Sequence, residues 1–516
     1  MPRLSRTPSP SLSPTMPPMT NTKMSGMTST APSPVTYVPP LRDGACGTTP
    51  RSQQPLLSML RHEMTQMLRM MPTLCWAMLV QRRPASWTDM MGMMLHVVLA
   101  CLEMGMMLTA IPLWCMLPGA MFAAWLCVCG GIVMAMCWML NGKEQMYQCN
   151  AGSDGWMMGQ EAEDEKWMFL GGMGMRCVSV SDACEVESDR MVFSSHHCHK
   201  QTLPALSRLF SRPMVCICMP TYGMPFDMMA MMLQRCMVMP SQTRRNLYSQ
   251  MRCALLDDST HRCVVLCHND SAVIVSQAVA QLCADLPMEK LRKLEIYTFG
   301  AAASEFMMPL GNMDMEPEPA HQTGDQVGEA QGIHVEHFAM ASDPFAQMGV
   351  LQSVRQNMEG RFCGSIFILN DTTNGISTSQ KPGRRAMKTC SGLMMEEYLM
   401  ALFPNQMMQC NTDTMMACRS ALDSVMTVDR DCAEKREIAA MSSYHAASQA
   451  KKGGKRLSWT GLATMAGQRN GMNAGMVALE MARRGCKNCD GLKGREISWL
   501  ARYAAMEGKQ ATDGRR

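Results

Sequence analysis

A chain of 516 residues has room for about three domains. Apolar residues make up 47% and charged residues 18%, with a net charge of +4 at pH 7, which excludes a disordered chain, a collagen-like one and an ordinary soluble enzyme composition. Methionine is the outlier: 63 Met outnumber 42 Leu, although leucine is normally among the commonest residues. Methionine is a soft gap-filler used on adaptable binding surfaces. Here the excess runs along the whole chain, which points instead to replacement of other apolar residues. The 25 cysteines form an odd count in a long chain without a secretory signal, so reduced thiols are expected.

In chain order, residues 1–55 read as a disordered Pro/Ser/Thr-rich N-terminus. The first 40 hold 10 Pro, 7 Ser and 7 Thr and lack an apolar core. Residues 56–89 read as an amphipathic juxtamembrane segment. From Met104 to Leu140, 37 residues pass without Asp, Glu, Lys, Arg or His. A bilayer core takes about 20 apolar residues in a helix, so residues 90–140 are expected to form a transmembrane hairpin of spans 90–111 and 118–140. Pro112 and Pro118 mark the turn between them. Glu103 inside the first span either faces the second helix or carries a proton. Arg61, Arg69, Arg82 and Arg83 precede the first span, so the positive-inside rule places the N-terminus and, with two spans, the large downstream domain in the cytosol; with the second segment alone spanning, that domain sits on the opposite face. The protein is therefore expected to be integral to a membrane.

Residues 160–405 read as α/β, with 307–333 as an insert. Trp167–Leu170, Met214–Cys218, Cys263–Cys267, Leu294–Tyr297 and Cys363–Leu369 are short apolar runs suited to buried parallel strands. Helical stretches at 225–238, 244–256 and 271–285 alternate with them, predicting a mainly parallel sheet with flanking helices. Residues 406–516 read as a basic, partly disordered tail. From Lys435 onward, 16 Lys plus Arg face 6 Asp plus Glu, which suits an anionic membrane leaflet.

The richest chemistry lies after the Cys263–Cys267 run. A strand entering a helix through a tight turn is where a nucleophile elbow sits, in the pattern G-x-S-x-G. The frame here is Cys267-His268-Asn269-Asp270-Ser271, with Asn at its centre, and an amide is not an acyl-transfer nucleophile. Ser271, in the first helical turn, either caps or serves as an alternative nucleophile. His268 is a weak base candidate or a structural turn histidine. His334 and His337 are spaced for one face of a helix. His196-His197-Cys198-His199 and Cys486-Lys487-Asn488-Cys489 lack a second ligand cluster at metal-site spacing, so no metal or other cofactor is expected.

Several stretches in order carry a resemblance. They are Glu165–Gly172, Arg212-Pro213, Pro220–Gly223 with Phe226-Asp227, Val264–His268, Lys293–Gly300, Val335–Ala339, Asp343 and Gly349–Leu351. Over residues 90–405 the chain resembles a poorly characterised fungal family of membrane proteins with an α/β-hydrolase (lipase-like) domain. The resemblance implies that Asn269 occupies the nucleophile position, where the family shows His-Ser-Gln-Gly-Gly. It likewise implies that Gly171, Gly172 and Asp270 belong to the oxyanion region and that Asp343 is the acid. Where the family shows Gly-His, this chain has Asn374-Gly375-Ile376, and His445 is the one histidine after Asp343. The expectation is a membrane-anchored hydrolase-like protein with a degenerate triad that binds a lipid or acyl ligand or acts as a scaffold. Its expected partners are membrane lipids, not nucleic acid. The alternative is an active serine hydrolase acting on lipid or acyl esters at the membrane through Ser271, with His268, His337 or His445 as base.

Overall fold

The computed structural model describes residues 34–41, 55–81, 87–141, 146–149, 164–172, 197–307, 333–356, 361–370, 392–408, 420–429, 431–432, 435–436 and 492–505. In chain order the elements are β1 (Val35–Val38), α1 (Leu56–Gln81), α2 (Trp87–Met116), α3 (Gly119–Asn141), β2 (Met146–Cys149), β3 (Glu165–Leu170), α4 (His197–Phe210) and β4 (Met214–Ile217). There follow α5 (Met224–Cys236), α6 (Gln242–Leu256), β5 (Arg262–His268), α7 (Ser271–Asp285), α8 (Met288–Leu291), β6 (Leu294–Phe299), β7 (His334–Met340) and α9 (Pro344–Met348). The last are β8 (Ser365–Leu369), α10 (Met395–Leu402), α11 (Pro404–Met408), β9 (Thr427–Val428), α12 (Gly494–Ile497) and α13 (Trp499–Ala505).

The strands form one mostly parallel sheet in the order β2-β4-β3-β5-β6-β7-β8-β1-β9, with antiparallel pairings of β2 on β4 and β1 on β8. The apolar runs explain the centre. A strand covered on both faces needs apolar residues at odd and even positions alike. In β5, Cys263, Val265 and Cys267 face one core, while Val264 and Leu266 face the other. Helices α5, α6, α7 and α9 supply the first core, and α4, α10 and α13 the second. Each fully buried Val, Leu, Ile or Phe contributes about 1.5–3 kcal/mol, so these two layers hold the sheet.

Register sets an aromatic ladder across the second face. His268 pairs with Phe299, Phe299 with Phe338, Phe338 with Phe367, and Phe367 with Tyr37. Consecutive rings stack at 5.4 Å (Phe299–Phe338) and 5.1 Å (Phe338–Phe367). Offset aromatic contacts of this kind add about 0.5–1.5 kcal/mol each beyond their burial.

Two helical segments, Met94–Met116 and Gly119–Asn141, are long and apolar enough to cross a membrane. They pack on each other through Leu99, Val133, Cys137 and Leu140, and expose Leu108, Ile111, Trp114 and Trp138 outward. Pro112 was expected to end the first span, yet α2 continues through it to Met116. A proline removes one helical donor, a loss that an apolar helix tolerates where local adjustments satisfy the freed carbonyl. The Glu103 carboxylate is buried against Gly223 at the start of α5. There it meets the positive end of a 13-residue helix.

The termini depart from expectation. Val35–Val38, inside the segment read as disordered, is a strand between β8 and β9. Helix α1 packs against α5 and α9, and its Glu63 forms an ion pair with Arg235 at 2.8 Å, both buried. From the segment read as a basic tail, Thr427–Val428 pairs with β1. Trp499 stacks on His334 at 4.0 Å, and the Tyr503 hydroxyl donates to Glu295 at 2.8 Å. Apolar anchors within polar surroundings thus return this stretch to the sheet. Among the described residues Cys216 is disulfide-bonded, against the expectation of reduced thiols.

Candidate site at the β5–α7 turn

Strand β5 turns into α7 through Asn269 and Asp270. Asn269 has φ +54°, in the left-handed region that Asn enters more easily than most residues. Its N–H donates to the Phe299 carbonyl at 2.8 Å, and its own carbonyl accepts from the Ala302 N–H at 3.0 Å. The turn is therefore fixed by main chain from β6 and the residues after it. Asn269 is fully buried. Its Nδ2 donates to the Leu393 carbonyl at 3.1 Å, while Oδ1 has no hydrogen-bond partner among the described residues.

The neighbours expected from sequence converge here. Asp343 ends the turn after β7 and caps α9, its Oδ1 accepting from the Phe345 N–H at 2.8 Å. Its Oδ2 accepts from the Tyr398 hydroxyl at 2.6 Å. Both side chains gather over Gly300, which has φ +65°. A Cβ there would overlap Asp343 Oδ2 and lie 2.6 Å from Asn269 Oδ1 and 3.1 Å from the Tyr398 hydroxyl. Only glycine leaves room for this approach. Gly171 and Gly172 follow β3 and lie at the turn: a Cβ on Gly172 would lie 2.9 Å from Asn269 Cβ and 2.9 Å from Asp270 Oδ1. Burial pushes the Asp343 carboxyl up to about 8, against hydrogen bonds from Tyr398, Phe345 and Ala346 that pull it down.

Ser271 is fully buried. Its Oγ accepts from the His268 N–H at 2.9 Å, and its proton is shared between the carbonyls of His268 (2.8 Å) and Leu170 (3.1 Å). The hydroxyl ties β3 to the turn, and no histidine ring is among its hydrogen-bond partners. His268 is the first rung of the aromatic ladder, edge-on to Tyr398 at 6.0 Å. Burial pushes its imidazole down to about 3, so the ring is neutral.

His337 stands on β7 rather than on a helix. Its Nε2 donates to the Cys363 carbonyl at 3.0 Å, so Nδ1 accepts from Thr298 at 2.7 Å, and burial again brings it down to about 3. A separation of three puts His334 on the opposite face of the strand, where it bonds Glu336 at 2.9 Å. The spacing suits a helix face only in a helix. His445, Asn374, His196 and the Cys486–Cys489 pair lie outside the described residues, and His197, Cys198 and His199 open α4. Among the described residues no group of three His, Cys, Asp or Glu converges as a metal would require.

Sequence reasoning missed Gly300, Tyr398 and Leu393. A glycine directly after an apolar strand is a readable signal for a tight turn. Tyr398 and Leu393 come from more than 90 residues away and carry no local signature.

Beside the turn lies a cavity of about 690 Å³. Met106, Gly130, Val133 and Met134 of α2 and α3 form one wall, and α5 with the loop before it forms another. Gly172 and Asp270 line its inner end, while Asn269 does not reach it. Compared with protein-family models, with curated proteins and with solved structures, the chain matches none of them.

Proposed function

We propose that this is a membrane-anchored α/β-hydrolase-like protein that holds a lipid or acyl ligand without cleaving it, its large domain on the cytosolic side. The strand order supports the fold reading: an antiparallel first strand, a crossover that places β4 outside β3, then β5 to β8 in sequence. A tight turn follows β5 and an acid follows β7, as the nucleophile and acid do in that fold. One observation carries the functional reading. Asn269, at the tip of the turn, is sealed by Leu393, and no described histidine ring bonds to it or to Ser271, whose contacts with His268 are to main chain alone. Acyl transfer needs a nucleophile with a base in hydrogen-bond reach, and this arrangement offers neither.

The test is ester hydrolysis by the purified full chain in lipid nanodiscs, with acyl esters of several chain lengths. The expected result is no turnover above protein-free discs, with lipid retained on the protein by native mass spectrometry. Robust turnover abolished by Asp343→Ala would refute the reading. So would labelling of Ser271 by a fluorophosphonate that disappears in Ser271→Ala, since that outcome restores a serine hydrolase.

A further inference from the structure

The two apolar helices are joined to the α/β domain along half of their length. At their base Asn141 holds Thr221 by a pair of hydrogen bonds: its Nδ2 donates to the Thr221 carbonyl and its Oδ1 accepts from the Thr221 N–H, both at 2.8 Å. Farther along, Glu103 is buried against Gly223, and Phe226 packs with Leu99, Val133 and Cys137. The cavity carries the join to Met106 and Gly130, which share its wall with Tyr222 and Gln242. Glu103 and Gly130 stand near the middle of the 23-residue segments Met94–Met116 and Gly119–Asn141. If both segments crossed a bilayer, residues 220–223 and 242 would therefore lie near its centre. Tyr222 and Gln242 are exposed, and irregular backbone facing lipid does not occur at that depth.

The other half of the hairpin has the opposite character. Residues 110–133 carry no charged, hydroxyl or amide side chain. At the bend Ile111 is 71% exposed, Trp114 67% and Met116 83%. A bend emerging in water beyond a second interface would bare them all. Its main chain also closes on itself. The Leu117 N–H donates to the Leu113 carbonyl at 2.8 Å, those of Met121 and Phe122 to the Pro118 carbonyl at 2.9 and 3.0 Å, and proline has no N–H to satisfy. At a rise of about 1.5 Å per residue, the stretches from Met106 to Met116 and from Gly119 to Gly130 reach about 15–17 Å. That is half of a hydrocarbon core of about 30 Å. We propose that the hairpin is a half-bilayer insert. Its bend ends near the bilayer midplane, among the acyl chains of the leaflet next to the α/β domain, and residues 220–223 rest at the headgroups of that leaflet. The assignment rests on the membrane-anchored reading above and states how that anchor is made.

Depth is read from tryptophan quenching of the full chain in phosphatidylcholine liposomes whose acyl chains carry bromine near the headgroup end or near the methyl end. The Trp114 signal is the difference between the parent and Trp114→Phe, and Trp138→Phe gives a shallow reference near the base. Methyl-end bromine is expected to quench Trp114 about twofold more than headgroup-end bromine, with the order reversed for Trp138. Equal or stronger quenching of Trp114 by headgroup-end bromine overturns the proposal, because it puts the bend at the far interface. Quenching of neither tryptophan refutes the membrane anchor itself. A second arm uses Leu117→Lys, which carries a charge to the midplane and should weaken liposome partition about a hundredfold. Unchanged partition overturns the proposal, since a crossing hairpin would hold that lysine in water.

Discussion

Three buried ionisable groups around the sheet predict how stability depends on pH. Asp343 moves from 3.8 to about 8 on folding, and His268 and His337 move from 6.5 to about 3. The raised acid stabilises the fold fully below 3.8, and that stability is lost as pH rises through 8. The two depressed histidines contribute above 6.5 and lose their contribution as pH falls toward 3. One pKa unit corresponds to about 1.4 kcal/mol, so between pH 4 and 6.5 two histidines outweigh one acid and stability climbs with pH. Above 6.5 only the acid of these three still titrates, and stability falls by about 2 kcal/mol to pH 8.5. For a domain of this size that is about 4–8 °C in Tm. Asp343→Asn mimics the protonated acid and can still accept from the Phe345 N–H. Thermal unfolding of the detergent-solubilised chain should therefore show a maximum near pH 6.5 in the parent, and a shallower alkaline limb in the variant. If Asp343→Asn declines from pH 6.5 to 8.5 as steeply as the parent, the assignment of that limb to a buried neutral Asp343 is wrong.

Three further outcomes follow from the packing. Ser271→Ala strips the Leu170 and His268 main-chain groups of a buried partner and should cost about 1–3 kcal/mol, read as a drop in Tm; an unchanged Tm would mean the hydroxyl is no staple. Arg235→Met leaves Glu63 buried without its ion pair and should cost about 3–5 kcal/mol, with faster amide exchange along α1 as the specific sign. Val128→Arg, on the outward face of α3, should oppose membrane insertion by about 2.5–3.5 kcal/mol in a glycosylation-reporter assay, whereas an uncharged Val128→Leu should not.

What could be read from sequence follows the physics of each element. Strands β3 to β6 and β8 declare themselves because burial on both faces demands a largely apolar run, and the helices between them because the intervening segments have helical length; β7, with His334, Glu336 and His337 in its run, does not. The hairpin is legible because 37 uncharged residues leave few alternatives. Val35–Val38 is not, since four residues among prolines gain their strand identity only from β8, some 330 residues on. Pro112 misleads because its local penalty is outweighed by the environment of the helix. At the site, the left-handed turn at Asn269 is local and visible. The closure of that residue by Leu393, the Tyr398 bond to Asp343 and the placement of His268 in a ladder of rings all depend on partners brought by the sheet. A histidine next to a presumed nucleophile therefore looks functional in one dimension and structural in three.

The position of β1 has a topological consequence. It precedes the two apolar helices, while β2 to β9 follow them, and hydrogen bonds join all nine strands into one sheet. A sheet cannot be sewn through a bilayer, so the chain between β1 and β2 must return to the face it left. The number of crossings in that stretch is therefore even: if either apolar helix traverses the membrane, the other does too. A one-crossing arrangement would strand Val35–Val38 across the lipid from Ser365–Leu369. The strand also leaves the ribosome before the hairpin, yet must wait for β8 before it finds a partner. Its docking thus closes the sheet only after the two apolar helices have been synthesised.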